Sequence, residues 1–299
     1  MHRPKCFRIA GIAALILTYS LAAQAASQPV FDAIYVFGDS YCDVGNLYLA
    51  TGGAIPAEPY YKGRFSNGPL WVEHVAGTYG LPMTPSITGG TDYAFAGAEV
   101  LAAVPISPSA SIPSVPQQVE EYLSTHNFKA DPKALYIVEG GGNDILDATG
   151  GSPQALAGEI AFSLLASIRQ LRRAGARNLF VPRLFDVGLL PAAKAEGISA
   201  FATAATAALN KGLDTGLALE SFSDETHLYR IDTYRLLASI LNDGSHYGFS
   251  DVSDPCLNTL ASPTTLCANP SANYFWDFVH PTVFGHAFFA VLAEQELNR

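Results

Sequence analysis

Hydrophobic positions along the chain fall into two kinds of segment that alternate. Short unbroken apolar runs that end at a turn residue read as strands covered on both faces. Ile34-Tyr35-Val36-Phe37 is the first and stops at Gly38. Ala134-Leu135-Tyr136-Ile137-Val138 is the second and leads through Glu139 into Gly140-Gly141-Gly142. Asn178-Leu179-Phe180-Val181 before Pro182, residues 226–231 and the weaker Thr91-Asp92-Tyr93-Ala94-Phe95 repeat the pattern. Longer stretches of helical spacing lie between them, over residues 70–79, 200–219, 234–242 and 282 to about 297. The strongest opens at Ser152-Pro153, runs to about Arg173 with basic residues in its last turn, and stops at Gly175. Strands alternating with helices predict an α/β fold, a parallel sheet with helices on both faces. In such sheets ligands bind beyond the carboxyl ends of the strands, where Ser40 and Asn143 fall. Residues 41–70 and 100–116, rich in Pro, Gly and Ser, are expected to form the rim and cleft, and 243–274 a long loop leading into Asp277.

Composition sharpens this picture. The 299 residues are 49% hydrophobic and 15% charged, enough apolar material for a sizeable core and too little charge for a disordered chain. No repeat or internal boundary divides the chain, so residues 26–299 are expected to form a single domain. Residues 1–25 read as a signal peptide. Arg3, Lys5 and Arg8 precede an apolar stretch over 9–21, and Ala23-Gln24-Ala25 is a small-x-small cleavage site. That stretch is shorter than the roughly 20 residues needed to span a bilayer. A secreted protein is expected, periplasmic or extracellular, with no transmembrane segment in the mature chain.

Removing residues 1–25 takes away three basic and no acidic residues, lowering the formal charge from −10 to −13. Such a protein is not built to neutralise phosphates, which excludes nucleic acid as a partner class. Cys6 leaves with the signal. Cys256 and Cys267 lie close together in a polar stretch of an exported chain and are expected to form a disulfide worth about 2–3 kcal/mol. Cys42 reads as a small buried hydrophobe.

The candidate chemistry sits at the ends of the apolar runs. Ser40, in Gly38-Asp39-Ser40, is a hydroxyl that needs an adjacent base to become a nucleophile. His280 is the candidate base and Asp277, three residues earlier in a turn ending at Pro281, its orienter. His286 is a rival base, but it lies among Ala and Phe in the last helical pattern, where a packed histidine is expected. Asn143 offers a side-chain amide to a developing oxyanion, and the Ser40 and Gly68 N–H groups are further candidate donors. No Gly-x-Ser-x-Gly elbow and no His-Glu-x-x-His motif occur, which disfavours an α/β-hydrolase and a metalloenzyme.

Taken together these blocks resemble the GDSL or SGNH hydrolase family. They are Gly38-Asp39-Ser40 with Asp43-Val44-Gly45-Asn46, Gly63-Arg64-Phe65-Ser66-Asn67-Gly68, Gly141-Gly142-Asn143-Asp144, and Asp277-Phe278-Val279-His280-Pro281-Thr282. They keep the family's order across residues 31–290. The resemblance implies a three-layer α/β/α flavodoxin-like fold with a central parallel sheet of about five strands. It also implies hydrolysis of an ester substrate with no cofactor and no metal. Ser40 is then the nucleophile, His280 and Asp277 complete the triad, and Ser40, Gly68 and Asn143 form the oxyanion hole. The long first block and Phe275-Trp276-Asp277 look like the branch of secreted lipases, lecithinase- and haemolysin-like bacterial enzymes and plant GDSL esterases. Tyr41-Cys42 departs from it, since Leu-Ser or a similar pair is commoner there. A carbohydrate O-deacetylase with the same triad is the alternative enzyme. A non-catalytic binding protein has no need of all five site residues.

Overall fold

In the computed structural model residues 30–220, 222 and 225–299 are described, and the expected signal peptide lies outside the described residues. Four of the apolar runs form one parallel sheet: β1 (Ile34–Phe37), β2 (Leu135–Val138), β3 (Asn178–Phe180) and β4 (His227–Tyr229), side by side in that order. The register sets Tyr35 beside Tyr136, Val36 beside Ile137 and Ile137 beside Phe180. Strand alternation therefore sends Val36, Ile137 and Phe180 to one face, where the Trp71 ring lies 5.8 Å from Phe180. Tyr35 and Tyr136 go to the other face and meet Tyr122. Both faces are covered, which is why these strands carry almost no polar residue.

The fifth expected strand is irregular. Residues 91–95 run along the free edge of β1: Thr91 O accepts from Val36 N, Tyr93 N donates to Val36 O and Phe95 N to Gly38 O. Asp92 breaks the ladder. Its side chain accepts from Val44 N and Ala94 N, and its carbonyl from Ser86 N and Asn46 Nδ2. The described sheet thus has four regular strands rather than five.

The helices are α1 (Asn46–Ala50), α2 (Trp71–Thr78), α3 (Val115–Thr125), α4 (Gly142–Leu146), α5 (Pro153–Ala174), α6 (Pro191–Ala195), α7 (Ser199–Leu219), α8 (Thr233–Asn242) and α9 (Val283–Leu297). On the Trp71 face α2 packs against α9, while α5 packs between α3 and α7 on the other. Local chemistry sets the ends. Ser152 Oγ accepts from Ala155 N, and Gly175 closes α5 in the left-handed conformation. Helix α3 was not among the expected elements. It opens with a reciprocal Ser114–Gln117 capping box and Pro116 in its first turn. Cys256 and Cys267 form the expected disulfide, across a hairpin of Leu257–Asn258 with Thr265–Leu266. Cys42 is a buried free thiol. Among the described residues, no helix is long and apolar enough to cross a membrane.

Candidate active site

β1 and β2 are neighbours, and the chain leaves both at the same end of the sheet. The turn after β1 carries Ser40, and the turn after β2 carries Asn143. Asp39 O accepts from both Cys42 N and Asp43 N, so residues 39–43 make one helical turn that does not continue. Helix α1 does not start at this turn but only at Asn46. Asp43 and Asn46 are the reason. Asp43 Oδ1 accepts from Gly45 N, and Oδ2 from Leu47 N and Ala96 N. Asn46 Nδ2 donates to Asp92 O and Ala94 O. These polar residues of the first block tie the turn to the irregular edge.

Gly38 is needed for space. A Cβ there would lie 2.1 Å from Glu139 Oε1. Gln118 clamps the same residue, its Oε1 accepting from Gly38 N at 2.8 Å and its Nε2 donating to Gly38 O at 2.9 Å. Glu139 Oε1 in turn accepts from Asp39 N at 2.8 Å.

Asp277 and His280 occupy the tip of a tight loop. Trp276 N donates to His280 O at 2.7 Å and Thr282 N to Tyr274 O at 2.8 Å. Asp277 Oδ1 accepts from Val279 N at 2.8 Å and His280 N at 2.7 Å, an Asx-type turn that fixes both side chains. His280 Nδ1 lies 2.8 Å from Asp277 Oδ2, and His280 Nε2 lies 2.7 Å from Ser40 Oγ. The structure therefore joins Ser40, His280 and Asp277 in one hydrogen-bonded chain, and all three are buried. Tyr41, where the sequence departs from the family, bridges the two turns. Its hydroxyl donates to Val279 O at 2.8 Å, and its ring stacks on Phe185 at 4.4 Å.

The remaining candidates are held nearby by backbone contacts. Ser66 Oγ donates to Pro281 O, and Asn67 Oδ1 accepts from Val283 N at the start of α9. Gly68 follows, packed so closely that a Cβ would lie 2.6 Å from Val283 Cβ. Among the described residues the N–H groups of Ser40 and Gly68 have no hydrogen-bond partner. Asn143 Nδ2 donates to Ala98 O at 2.8 Å, which orients the amide and leaves its second N–H.

Two buried aspartates interact with the charge of the imidazole. Burial pushes the Asp277 carboxyl up, but the His280 charge and the N–H donors of His280 and Val279 outweigh it and hold the group below its ordinary range. Asp39 is pushed up to about 6 by burial and by Asp144, against the Tyr41 N–H and the His280 charge. Burial, then Asp39, pushes Glu139 well up. Burial, helped by Glu139, Asp39 and Asp92, does the same to the Cys42 thiol and keeps it protonated. His286 is fully buried with both ring nitrogens unpartnered among the described residues, and burial lowers it to about 3. It is a packed histidine, as expected.

Sequence reasoning missed three residues at this site. Tyr60 lies in the 41–70 segment expected to form the rim, yet its hydroxyl donates to Asp277 Oδ2 at 2.8 Å. Gln118 and Glu139 were not singled out. A lone carboxylate at the end of an apolar strand was the available signal for Glu139. Of the other aromatics in residues 41–70, Tyr48 packs against Gly63, and the Phe65 ring lies 5.0 Å from that of His280. A cavity beside Tyr41, lined by Trp71, Leu184, Phe185 and Phe289, has about 30 Å³ of free space, room for no more than a water. No group of His, Cys, Asp and Glu among the described residues is arranged to hold a metal.

The family model for GDSL-like lipase/acylhydrolase matches residues 34–292. The phosphatidylcholine-sterol acyltransferase of Aeromonas hydrophila is 27% identical, over 90% of this chain and 91% of its own. A GDSL esterase/lipase of Arabidopsis thaliana is 27% identical, over 83% of this chain and 82% of its own. The thermolabile hemolysin of Vibrio parahaemolyticus is 27% identical, over 89% of this chain and 64% of its own.

Proposed function

We propose an acyl-enzyme mechanism on Ser40 for this chain, which belongs to the GDSL-like lipase/acylhydrolase family and is a carboxylic ester hydrolase. The observation that carries the proposal is the hydrogen-bonded chain from Ser40 Oγ through His280 to Asp277. Ser40 Oγ attacks the ester carbonyl as its proton passes to His280 Nε2. Asp277, ionised throughout the neutral range, stabilises the imidazolium. The Ser40 and Gly68 N–H groups and the free N–H of Asn143 are the donors for the oxyanion, each worth roughly 2.7–4 kcal/mol in the transition state. The imidazolium then protonates the leaving alcohol. Water, deprotonated by the same imidazole, releases the acid from Ser40.

Acyl lipids are the favoured substrate class. The name of the Aeromonas hydrophila relative, a phosphatidylcholine-sterol acyltransferase, points to a lipid substrate. The rim supports this, because Tyr48 and Tyr60 are engaged within the protein rather than free to stack on a sugar, while Leu49, Ile55 and Leu101 are exposed. The acyl chain is assigned to the surface between the rim loops, since the cavity beside Tyr41 is too small for it. Residues 1–25 are assigned as a removable export signal and 26–299 as one secreted catalytic domain, with the mature N-terminus expected near Ala26.

The test is the rate on p-nitrophenyl esters from acetyl to palmitoyl with Ser40→Ala as control. The variant is expected to lose at least about 10⁴-fold in kcat. Full activity in Ser40→Ala overturns the mechanism. Activity confined to acetyl and butyryl esters overturns the lipid assignment in favour of a deacetylase.

A further inference from the structure

We propose that Tyr60 is a positioning residue of the triad, its phenol fixing the charge and orientation of the Asp277 carboxylate on which His280 depends. The proposal deepens the acyl-enzyme reading and rests on it. Asp277 is buried, and its two oxygens are served unequally. Oδ1 takes two backbone N–H groups and lies 2.9 Å from His280 Nδ1. Among the described residues Oδ2 has only His280 Nδ1 and the Tyr60 hydroxyl, both at 2.8 Å. Among the described residues no other side chain donates to this carboxylate. Without the phenol, Oδ2 would face a water-poor site with the imidazole alone, and a buried anion short of a donor is costly.

Tyr60 is built to stay a donor. Burial, then the Asp277 charge, pushes its hydroxyl well above the ordinary range, so it keeps its proton at every working pH. Its ring is fixed against Phe65 at 5.4 Å and edge-on to Trp276 at 6.1 Å. Trp276 packs in turn with Cys256 and Leu257 of the disulfide hairpin. The other titratable groups facing the His280–Asp277 pair are Asp39 and Tyr41 from the nucleophile turn and His286 from α9. None of them donates to Asp277. Residues 57–59 are exposed, so Tyr60 is the inner end of a rim segment, and the triad carboxylate is bonded to the wall of its own cleft.

The sign of the effect follows from the donor. A neutral donor spreads the negative charge of the carboxylate and weakens its hold on the imidazolium. Tyr60→Phe keeps the ring and removes the donor, so the protonated imidazole persists to higher pH. The acidic limb of kcat/KM is expected to move up by about half a pH unit, with kcat about fivefold lower and KM within about twofold. 3-Fluorotyrosine placed at position 60 is a stronger donor of nearly the same shape, and should move the limb down. The His280 Nδ1–H proton resonance should shift in opposite directions in the two variants, whether or not the protein turns over. A limb and a resonance unmoved in both variants overturn the proposal, even if Tyr60→Phe lowers kcat or stability. Wild-type protein without Ser40-dependent activity overturns the mechanism instead, and the resonance then still decides whether Tyr60 governs the pair.

Discussion

The turn over residues 38–42 and the turn over residues 277–281 each bury an aspartate that interacts with the charge of the same imidazole, and the two aspartates behave oppositely. Asp277 is held below the ordinary carboxyl range, whereas Asp39 is pushed up to about 6. Burial acts on both in the same sense. The difference lies in what surrounds them. Asp277 receives two backbone N–H groups, an imidazole N–H and a phenol. Asp39 receives the N–H of Tyr41 and sits among Glu139 and Asp144. Desolvation therefore does not assign a role to a carboxyl group; the donors and charges around it do.

The largest break in this comparison is expected from Asp277→Asn. The amide offers an acceptor but no charge, and it favours the wrong imidazole tautomer. kcat should fall about 10⁴-fold, measured on a p-nitrophenyl ester at neutral pH. A loss under about tenfold would show that the carboxylate is not needed. The variant should also lose stability that the wild type has above pH about 4 and gives up as pH falls, since the folded group titrates below its unfolded value.

Gly38→Ala attacks the other turn. Its Cβ meets Glu139, whose carboxyl is buried and bonded to Asp39 N, and overpacking of this kind costs about 1–3 kcal/mol. Urea unfolding reads the loss, and Glu139→Ala in the same chain should restore part of it. Wild-type stability for Gly38→Ala would mean that Glu139 moves aside freely.

Asp39→Asn sharpens the contrast with the smallest effect. The folded carboxyl is raised, so its contribution is complete below pH about 4 and is lost as pH rises through about 6. The asparagine variant, which does not ionise, should match the wild type near pH 4 and exceed it by about 1–2 kcal/mol near pH 8. An equal difference at both pH values would refute the assignment of that titration to Asp39.

The parts of the fold legible in the sequence were those written in one segment. The strands at 34, 135 and 178 are unbroken apolar runs, and α5 carries its own cap and stop. Ser40, Asp277 and His280 were legible because each stands at a turn in an ordered set of blocks. What escaped depends on distant contacts. The edge segment looked like a strand, but Asp92 turns its bonding capacity toward residues 44–46 and 86. Tyr60 is one residue of the expected rim segment, and nothing local reveals its bond to a carboxylate 217 positions away. The need for Gly38 follows from Glu139, a hundred residues on. Helix α3 was a miss of a different kind, since its capping box was present and unread.

Ser40 and the imidazole that it bonds are separated by 240 residues, and β1, beside Ser40, comes first of the described strands. A ribosome making this chain at about 5–20 residues per second presents the serine many seconds before the imidazole. Until His280 has emerged and its loop has closed on Asp277, the serine has no partner to take its proton. On the mechanism proposed above, a half-made chain that stops before residue 277 thus carries the serine hydroxyl without the base that it needs to attack an ester.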